Sequence, residues 1–288
     1  MKLLGASSTG GFSTHADGVG HFDSLTIDLV MIVVMAGAGF SLALVWMLSR
    51  GQFHDTRRVF ELRVYAVVLV VTSAWVFWLH GSTTEDTSDR LVESVFTTVS
   101  LSTTTGHRTA DWALWDPGAA MMLIVLFVIG GMAGSVAGGL RWFRVIGLAQ
   151  FVWRELQRQL HPRAVRSVKV GHAPISEESV DRWHSQLVFT IFLAGTGAIV
   201  LAFFGSDIVE ALTLAFSAVS TTGPAIGDDG MTIVTAADLS RSDRAALMPL
   251  ALMGRVAIYP ALVLLGVVWF GAQRRVSALR FRRGRVRR

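Results

Sequence analysis

Long apolar stretches alternate with short polar ones along the whole chain, a pattern typical of membrane proteins with several spans. A helix that rises about 1.5 Å per residue needs about 20 residues to cross a ~30 Å hydrocarbon core. The spans predicted in this way are residues 25–48, 64–79, 119–129 with the glycine-rich segment that follows, 186–204 and 245–270. Two runs, 91–101 and 208–219, are too short to cross, and we expect them to re-enter from one side.

A strip of hydroxyl residues ending in glycine follows each short run. Strip 2 is residues 102–106 and strip 3 is residues 220–223, whose final glycine lies 117 residues later. The same offset places Glu93 on Glu210, and a further copy, strip 1 (residues 7–11), stands near the start. Self-similarity at long spacing indicates a repeated structural unit. Taken alone, each strip is also compatible with an exposed Ser/Thr loop.

Composition and charge support a membrane protein and suggest its orientation. Hydrophobic residues make up 52% of the chain, charged residues 16%, and cysteine is absent, which excludes disulfides and thiolate metal sites. The net charge of +5 comes mainly from Arg clusters in loops, which read as topology signals rather than as a nucleic-acid surface. Basic regions 50–63, 141–172 and 274–288 are predicted to be cytoplasmic, and acidic regions 81–89 and 226–243 external. All three strips are then external.

In a cation channel, the filter is built from a helix, a short re-entrant helix, a polar strip and a second helix, in that order. The chain shows the same order of elements. Backbone carbonyls next to a glycine of permissive φ can replace the water shell of an alkali cation, and hydroxyls add hard oxygen ligands. The negative C-terminal end of the re-entrant helix points at the strip and favours a cation. The predicted ion-binding residues are Thr9, Gly10, Gly11, Thr104, Thr105, Gly106, Thr221, Thr222 and Gly223.

Two further features suggest control of flow. Residues 130–139, called the glycine loop below, contain many glycines within an apolar stretch. They are compatible with an unwound segment or with a GxxxG helix-packing face. Arg255 is a charge within an apolar span and either serves the pore or snorkels to a helix-end carbonyl. The residues that carry these two features are Gly130, Gly131, Gly134, Ser135, Gly138, Gly139 and Arg255.

An intramembrane serine hydrolase is the enzyme alternative, because Ser135 lies in a glycine-rich membrane segment. Such an enzyme needs a histidine base within hydrogen-bond reach of the serine. The histidines lie at span ends or in loops, so we expect no enzyme activity and no catalytic residue. A protein fragment that only packs against a partner would share every feature above.

The chain resembles the membrane subunit of the Trk/Ktr/HKT superfamily of potassium transporters, closest to the bacterial Trk type. The matching segments are residues 10–15, 103–106, 130–139, 161–162, 169–171, 175–178, 223–224 and 254–255. The resemblance implies an all-α membrane protein of repeated helix–re-entrant pore loop–helix units. It would have about five spans, two short pore helices and a partial third, as in a potassium-channel-like pore. In the family the glycine loop and the arginine matching Arg255 form one constriction below the filter.

The resemblance also implies potassium uptake at a multi-pass plasma (inner) membrane, with sodium as the other candidate ion and no bound cofactor. Metal binding would be limited to K⁺ at the filter residues. The implied partners are the lipid bilayer, a second copy in a homodimer and a cytoplasmic nucleotide-binding regulatory subunit, with no nucleic acid. The C-terminus would be cytoplasmic.

The expected organisation is the end of one repeat, two complete repeats, a connector and a tail. Residues 1–56 supply a strip and an inner helix, and 57–150 form a complete repeat with the glycine loop. Residues 151–179 are the cytoplasmic connector, 180–272 the second complete repeat and 273–288 the basic tail. Family members have four repeats around one pore, so we expect an N-terminally truncated chain or half of a split transporter. A non-conducting fragment is the alternative.

Overall fold

The computed structural model describes residues 2–13, 18–22, 24–51, 56–79, 87–161, 167–170, 173–235 and 237–256. Within these ranges the chain is helical apart from two short hairpins and its loops. The α-helices are α1 (Lys2–Ser7), α2 (Leu25–Gly39), α3 (Leu42–Ser49), α4 (Thr56–Leu79), α5 (Thr87–Ser102), α6 (Pro117–Ile129), α7 (Trp142–Leu160), α8 (Glu177–Phe203), α9 (Ile208–Ser220) and α10 (Arg241–Arg255). The strands are β1 (Lys169–Val170), β2 (Ala173–Pro174), β3 (Ala225–Ile226) and β4 (Ile233–Val234), paired β1–β2 and β3–β4 in antiparallel register. Single 3₁₀ turns lie at Gly20–Phe22 and Trp112–Leu114.

The short helices α5 and α9 occupy equivalent places between longer ones. α5 packs against α4 and α6, and α9 packs against α8 and α10. Contacts between α6 and α9 join these two units, and contacts between α2 and α5 attach the N-terminal helices. The largest apolar cluster, around Leu123, Phe127 and Met132, lies beside α5 and supports the region where the strips meet.

Polar residues at the helix starts fix where the short elements begin. The Asp116 side chain accepts from the Gly118 amide (2.7 Å) at the start of α6, whose first residue is Pro117. Asp207 accepts from the Val209 amide (3.2 Å) at the start of α9. Such capping satisfies amides that have no partner within the helix. Of these two helices, α9 ends at strip 3, and α6 ends at Ile129, where the glycine-rich segment begins.

Two described helices are long and apolar enough to cross a membrane. Residues 59–79 and 177–203 have mean hydropathies of 1.9 and 2.0, and most of their side chains face outward. Val70, Trp78 and Phe192 are among the outward-facing ones, more than 60% exposed. Surfaces of this kind are typical of helices that face lipid.

The predicted span 25–48 consists of two helices, α2 and α3. The chain leaves helical geometry at Phe40, where α2 ends, and resumes at Leu42, where α3 begins. The carbonyls of Ala38 and Gly39 accept from amides of the glycine loop, and the Leu42 amide donates back to Gly134 (3.1 Å). The helix is therefore interrupted because another segment takes up its backbone hydrogen bonds. Gly37, Ala38 and Gly39, which in the sequence are compatible with a bend or a close-packing point, lie at the end of α2, directly before this interruption.

The prediction that residues 50–63 form a loop is wrong. α4 already begins at Thr56, so the predicted boundary of the second span at residue 64 lies eight residues too late. The charged residues of this first part had suggested a loop. One of them, Glu61, is fully buried and has a specific role described below.

Some predictions concern residues outside the described ranges. The last predicted span, 245–270, is described only to Val256, and Pro249 lies within the helix α10 without ending it. The tail 273–288 and most of the acidic segment 81–89 lie outside the described residues. Ser176 directly precedes α8, at the position where a serine can cap a helix, but its hydroxyl pairs with the Ser179 hydroxyl (2.8 Å) rather than with a backbone amide.

Candidate functional site

The three strips fold into the same unusual turn. Thr9, Thr104 and Thr221 have φ of 51°, 53° and 59°, and the glycine two residues after each, Gly11, Gly106 and Gly223, also has positive φ. Positive φ is a genuine outlier for a β-branched residue. The same costly geometry at three equivalent positions indicates a functional constraint rather than local accident.

Equivalent hydrogen bonds hold each turn. In every strip the amide of the residue before the final glycine donates to the carbonyl five residues earlier: Gly10 to Gly5 (2.8 Å), Thr105 to Ser100 (2.9 Å) and Thr222 to Ser217 (2.9 Å). Strips 2 and 3 share a further pair, in which a hydroxyl donates to a helix carbonyl four residues earlier: Thr103 to Val99 and Ser220 to Phe216, both at 2.8 Å. The hydroxyls thus satisfy carbonyls at the end of the helix, and they are buried. Every hydroxyl residue of strip 2 is buried, as are Ser220 and Thr222 of strip 3, whereas Ser7 and Ser8 of strip 1 are exposed. The exposed-loop interpretation is therefore wrong for strips 2 and 3.

The strips contact one another in chain order through their glycines. A Cβ built on Gly11 would lie 2.3 Å from the Thr105 carbonyl oxygen, and one on Gly106 would lie 2.1 Å from that of Thr222. Only glycine allows backbone to approach so closely. Among the described residues, nothing lies within 4 Å of the corresponding position on Gly223. From this order we infer that the three strips are consecutive walls of a ring; the position beside Gly223 is unoccupied by the described residues.

The glycine loop lies against the inner side of this ring. It is not helical, and Gly130, Gly134 and Gly139 have positive φ, so the helix-packing interpretation is wrong and the unwound segment is confirmed. The positive-φ threonines of all three strips meet it. Thr9 donates to the Val136 carbonyl (3.2 Å), and Thr104 accepts from the Gly138 amide (2.7 Å). A Cβ on Gly138 would lie 2.4 Å from the Thr221 hydroxyl oxygen.

Arg255 joins the same contact from the other side of the loop. Its Nη1 donates to the Val136 carbonyl at 3.1 Å, so this one oxygen accepts from both Thr9 and Arg255. The residues expected to form a gate, namely the glycine loop and Arg255, are therefore brought together directly below the strips. The Val136 carbonyl belongs to the glycine loop and not to a helix end. The alternative in which Arg255 reaches a helix-end carbonyl is therefore wrong.

Further anchors of the glycine loop were missed in the sequence. Glu61, on α4, is 1% exposed and accepts from the Ala133 amide (2.7 Å). The Met132 and Val136 amides donate to Gly39 and Ala38, at the end of α2. A single acidic residue among the arginines at the start of a long apolar helix would have been the signal for Glu61. It was not recognised because residues 50–63 were assigned to a loop.

Ser135, Gly131 and Gly139 allow the tight turns of the glycine loop. The Ser135 hydroxyl donates to the Met132 carbonyl at 2.7 Å. A Cβ on Gly131 would lie 2.7 Å from that of Ala137, and one on Gly139 would lie 2.8 Å from the Ile129 carbonyl oxygen. Ser135 borders a cavity, and no histidine is among the described residues that line it. The geometry required for a serine nucleophile is therefore not seen in the described chain.

Electrostatics at the ring favour a cation. α1, α5 and α9 all end at a strip, and helix C-termini carry partial negative charge. Within the described ranges, no cluster of three or more His, Asp or Glu residues could hold a metal ion. The available ligands are backbone carbonyls and threonine hydroxyls, which are hard oxygen donors suited to a dehydrated alkali cation.

Known proteins similar to this chain are cation transport proteins. A model of the family described as TrkH, cation transport protein, matches residues 4–269. The Trk system potassium uptake protein TrkH of Halomonas elongata is 30% identical over 263 residues, which cover 88% of this chain and 53% of the relative. The protein of that name from Vibrio parahaemolyticus is 30% identical over 266 residues, 89% of this chain and 53% of the relative.

A solved structure also matches. The crystal structure of the potassium transporter TrkH from Vibrio parahaemolyticus superposes with a TM-score of 0.82 at 28% sequence identity. The match covers 91% of this chain and 56% of the solved one. The chain thus spans about half the length of the curated relatives it matches. The shared fold is that of an all-α membrane protein.

Proposed function

This chain belongs to the TrkH family of cation transport proteins, and from that premise we propose that it builds three walls of a potassium filter in an uptake transporter. Potassium sheds its water at the ring of strip carbonyls and threonine hydroxyls. The proposed ion-binding residues are Thr9, Gly10, Gly11, Thr104, Thr105, Gly106, Thr221, Thr222 and Gly223. Transport, not catalysis, is the activity, and K⁺ is the transported ion, with Na⁺ as its competitor.

The observation that carries this proposal is the threefold recurrence of one turn in mutual contact. Thr9, Thr104 and Thr221 share a left-handed conformation, and each meets the same glycine loop. A structural protein has no reason to repeat a strained backbone three times around one axis. A narrow ring of aligned carbonyls gives a physical reason, because a dehydrated cation needs ligands from several sides at once.

We propose that the glycine loop and Arg255 form the gate. The loop closes the inner side of the ring, and the charge of Arg255 opposes the entry of cations there. At an effective dielectric constant of about 20, a unit charge about 6 Å away raises the energy of a cation by roughly 3 kcal/mol as an upper bound. Arg255 donates to the Val136 carbonyl, so the charge that opposes cations is bonded to the loop that closes the ring.

The open position beside Gly223 bears on whether this polypeptide conducts by itself. We propose that a fourth wall, from polypeptide beyond these 288 residues or from a separate chain, occupies that position and completes the filter. The alternative is a non-conducting fragment in which the position stays empty. A filter with one missing wall admits water, and it would lose the dehydration step on which selectivity depends.

Membrane orientation and partners complete the proposal. The strips face outward and the C-terminus is cytoplasmic, following the alternation of basic and acidic regions. The basic connector, residues 151–179, lies on the face that would receive a nucleotide-binding regulatory subunit. The chain would pair with a second copy in the bilayer. These assignments extend the family resemblance to this chain.

Rubidium uptake in cells lacking their own potassium uptake tests this function. The chain is expressed alone and together with the N-terminal half of the Halomonas elongata relative. We expect uptake only in the combined case. Failure of the combined case, with both polypeptides present in the membrane, would favour the non-conducting fragment.

The gate is tested in the conducting combination. Arg255→Ala should raise rubidium uptake roughly threefold to tenfold, because one positive charge is removed from the barrier. Arg158→Ala removes an exposed arginine of α7 that is paired with Glu155 and should leave uptake unchanged. Equal or lower uptake in Arg255→Ala, at matched expression, would contradict the gate.

A further inference from the structure

A cavity of about 250 Å³ lies on the far side of the glycine loop from the strips. Its lining combines the loop itself, residues 135–139, with Arg141 and Arg144, Gln186 of α8 and the end of α10 at Gly254 and Arg255. Arg255 is exposed, whereas Arg141 and Arg144 are half-buried, so the cavity has an open side and a closed side. No acidic residue is among the described residues that line it.

Three arginines therefore line one small space, and the described residues that line it include no side chain of opposite charge. Among the described residues, the ion pairs involve Arg108, Arg154 and Arg158 but none of these three. The charges of Arg141 and Arg255 repel each other, as do those of Arg144 and Arg141. Glu61 attracts Arg141, but its carboxylate accepts from Ala133 and does not line the cavity. An unbalanced cluster of this kind is electrostatically costly unless an anion shares the space.

Donors remain free for such an anion. A guanidinium carries five N–H donors; Arg255 uses one for the Val136 carbonyl and Arg144 uses one for the Leu140 carbonyl. Gln186 adds an amide group. α7 begins next to the cavity, and no side chain caps its first turn, so the positive end of a 19-residue helix adds to the same field. The planar fork of arginine is well matched to phosphate oxygens.

We propose that this cavity, bounded by Arg141, Arg144, Gln186 and Arg255, binds a phosphate-type oxyanion beneath the gate. A bound anion would offset the positive charge that opposes cations, and it would draw on the same guanidinium that holds the Val136 carbonyl. The anion is either free phosphate or the phosphate of a lipid headgroup. The proposal does not depend on ion conduction, because binding is measured on the protein itself.

Binding is measured with inorganic phosphate added to the full chain in zwitterionic nanodiscs at constant ionic strength, by calorimetry or ³¹P NMR. Arg144→Gln and Arg255→Gln should each weaken binding roughly 10- to 100-fold, since each removes charge-assisted hydrogen bonds. Arg158→Gln is the matched control and should bind like the parent protein, because Arg158 is largely exposed and pairs with Glu155. Arg144→Lys keeps the charge but loses the fork, and should bind with intermediate affinity.

The two sources are separated by repeating the titration in nanodiscs that contain phosphatidic acid. A headgroup that occupies the site should abolish phosphate binding and raise thermal stability in the parent but not in Arg144→Gln. Unchanged phosphate binding identifies the free ion as the ligand. The proposal is overturned if neither phosphate nor phosphatidic acid binds in an Arg144-dependent way, or if Arg158→Gln loses as much affinity as Arg144→Gln. If Arg144→Gln does not fold, Arg144→Lys takes its place, and its phosphate affinity should still be lower than that of the parent protein.

Discussion

Thr104 combines burial, a left-handed backbone and a hydrogen bond to the glycine loop. It is fully buried, has φ of 53°, and its hydroxyl accepts from the Gly138 amide at 2.7 Å. A glycine would relieve the backbone strain, and an aliphatic residue would fill the same volume. Neither would supply the acceptor. The hydroxyl explains why a β-branched polar residue is retained in a conformation that it adopts at a cost.

Replacing Thr104 with Val should therefore loosen the glycine loop. The substitution keeps the shape and the strain but leaves the Gly138 amide without an acceptor, at a cost of about 1–3 kcal/mol. We expect a lower midpoint of thermal unfolding and a rubidium leak in the conducting combination. Thr104→Ser should retain most of the stability. Thr196→Val, on an exposed face of α8, is the control; an equal loss there would mean that the hydroxyl contact has no special role.

At the scale of elements, the glycine loop is held by backbone contacts that tolerate no added atom. A Cβ on Gly138 would lie 2.1 Å from the Ser220 carbonyl oxygen, within the end of α9. Gly138→Ala should therefore push the loop away from strip 3 and cost about 1–3 kcal/mol. Gly37→Ala is the matched control, because its Cβ meets nothing within 4 Å and alanine favours a helix interior by up to ~1 kcal/mol. Thermal unfolding of both variants measures the difference, and equal stability would contradict close packing of the loop.

The outer hairpin β3–β4 is an element held by two aspartates. Asp229 accepts from the amides of Met231 and Thr232 and from the Thr232 hydroxyl, all at 2.9 Å. Asp238 accepts from the amide and hydroxyl of Thr235 at 2.9 and 2.8 Å. These bonds lower the pKa of both carboxyls, through the Met231 amide first at Asp229 and the Thr235 amide first at Asp238.

Acid should therefore loosen this hairpin. A carboxyl with a lowered pKa in the folded state contributes stability above its unfolded pKa of about 3.9, and this is lost as the pH falls through the folded value. Amide exchange of residues 229–235, corrected for the intrinsic pH dependence, should show protection that is constant from pH 7 to 5 and falls below about pH 4. Asp229→Asn should weaken protection at pH 7 and flatten its dependence on pH. A flat profile in the parent protein would contradict this account.

Sequence patterns located the strips and the unwound loop because their chemistry is local. A run of hydroxyls ending in glycine and a cluster of glycines are visible without knowledge of the fold. The cause of the interruption after Gly39 was not predicted, since Ala38 and Gly39 accept hydrogen bonds from a loop about 95 residues later. Glu61 was missed for the same reason: only the fold reveals that its carboxylate faces the Ala133 amide.

At the scale of the whole molecule, the three strips are ordered as neighbours around a ring. Strip 1 presents Gly11 to strip 2, and strip 2 presents Gly106 to strip 3. This order could be guessed from the repeat, but the direction of each contact, glycine onto the carbonyl of the next strip, comes only from the structure. The same rule makes Gly223 the residue that a fourth wall would meet. Gly11 and Gly106 each contact a neighbouring strip, whereas Gly223 contacts none among the described residues.

Alanine at each of the three glycines should give different results in the isolated chain and in the complete transporter. All three substitutions place a side chain at positive φ, which costs about 1–2 kcal/mol. Gly11→Ala and Gly106→Ala also clash with a carbonyl oxygen at 2.3 and 2.1 Å, so the isolated chain should lose clearly more stability than in Gly223→Ala. In the conducting combination all three should abolish rubidium uptake, because Gly223 would then face the fourth wall. Loss of stability in isolated Gly223→Ala as large as in Gly106→Ala would contradict the open position, and normal uptake in Gly223→Ala would contradict its role as the junction with that wall.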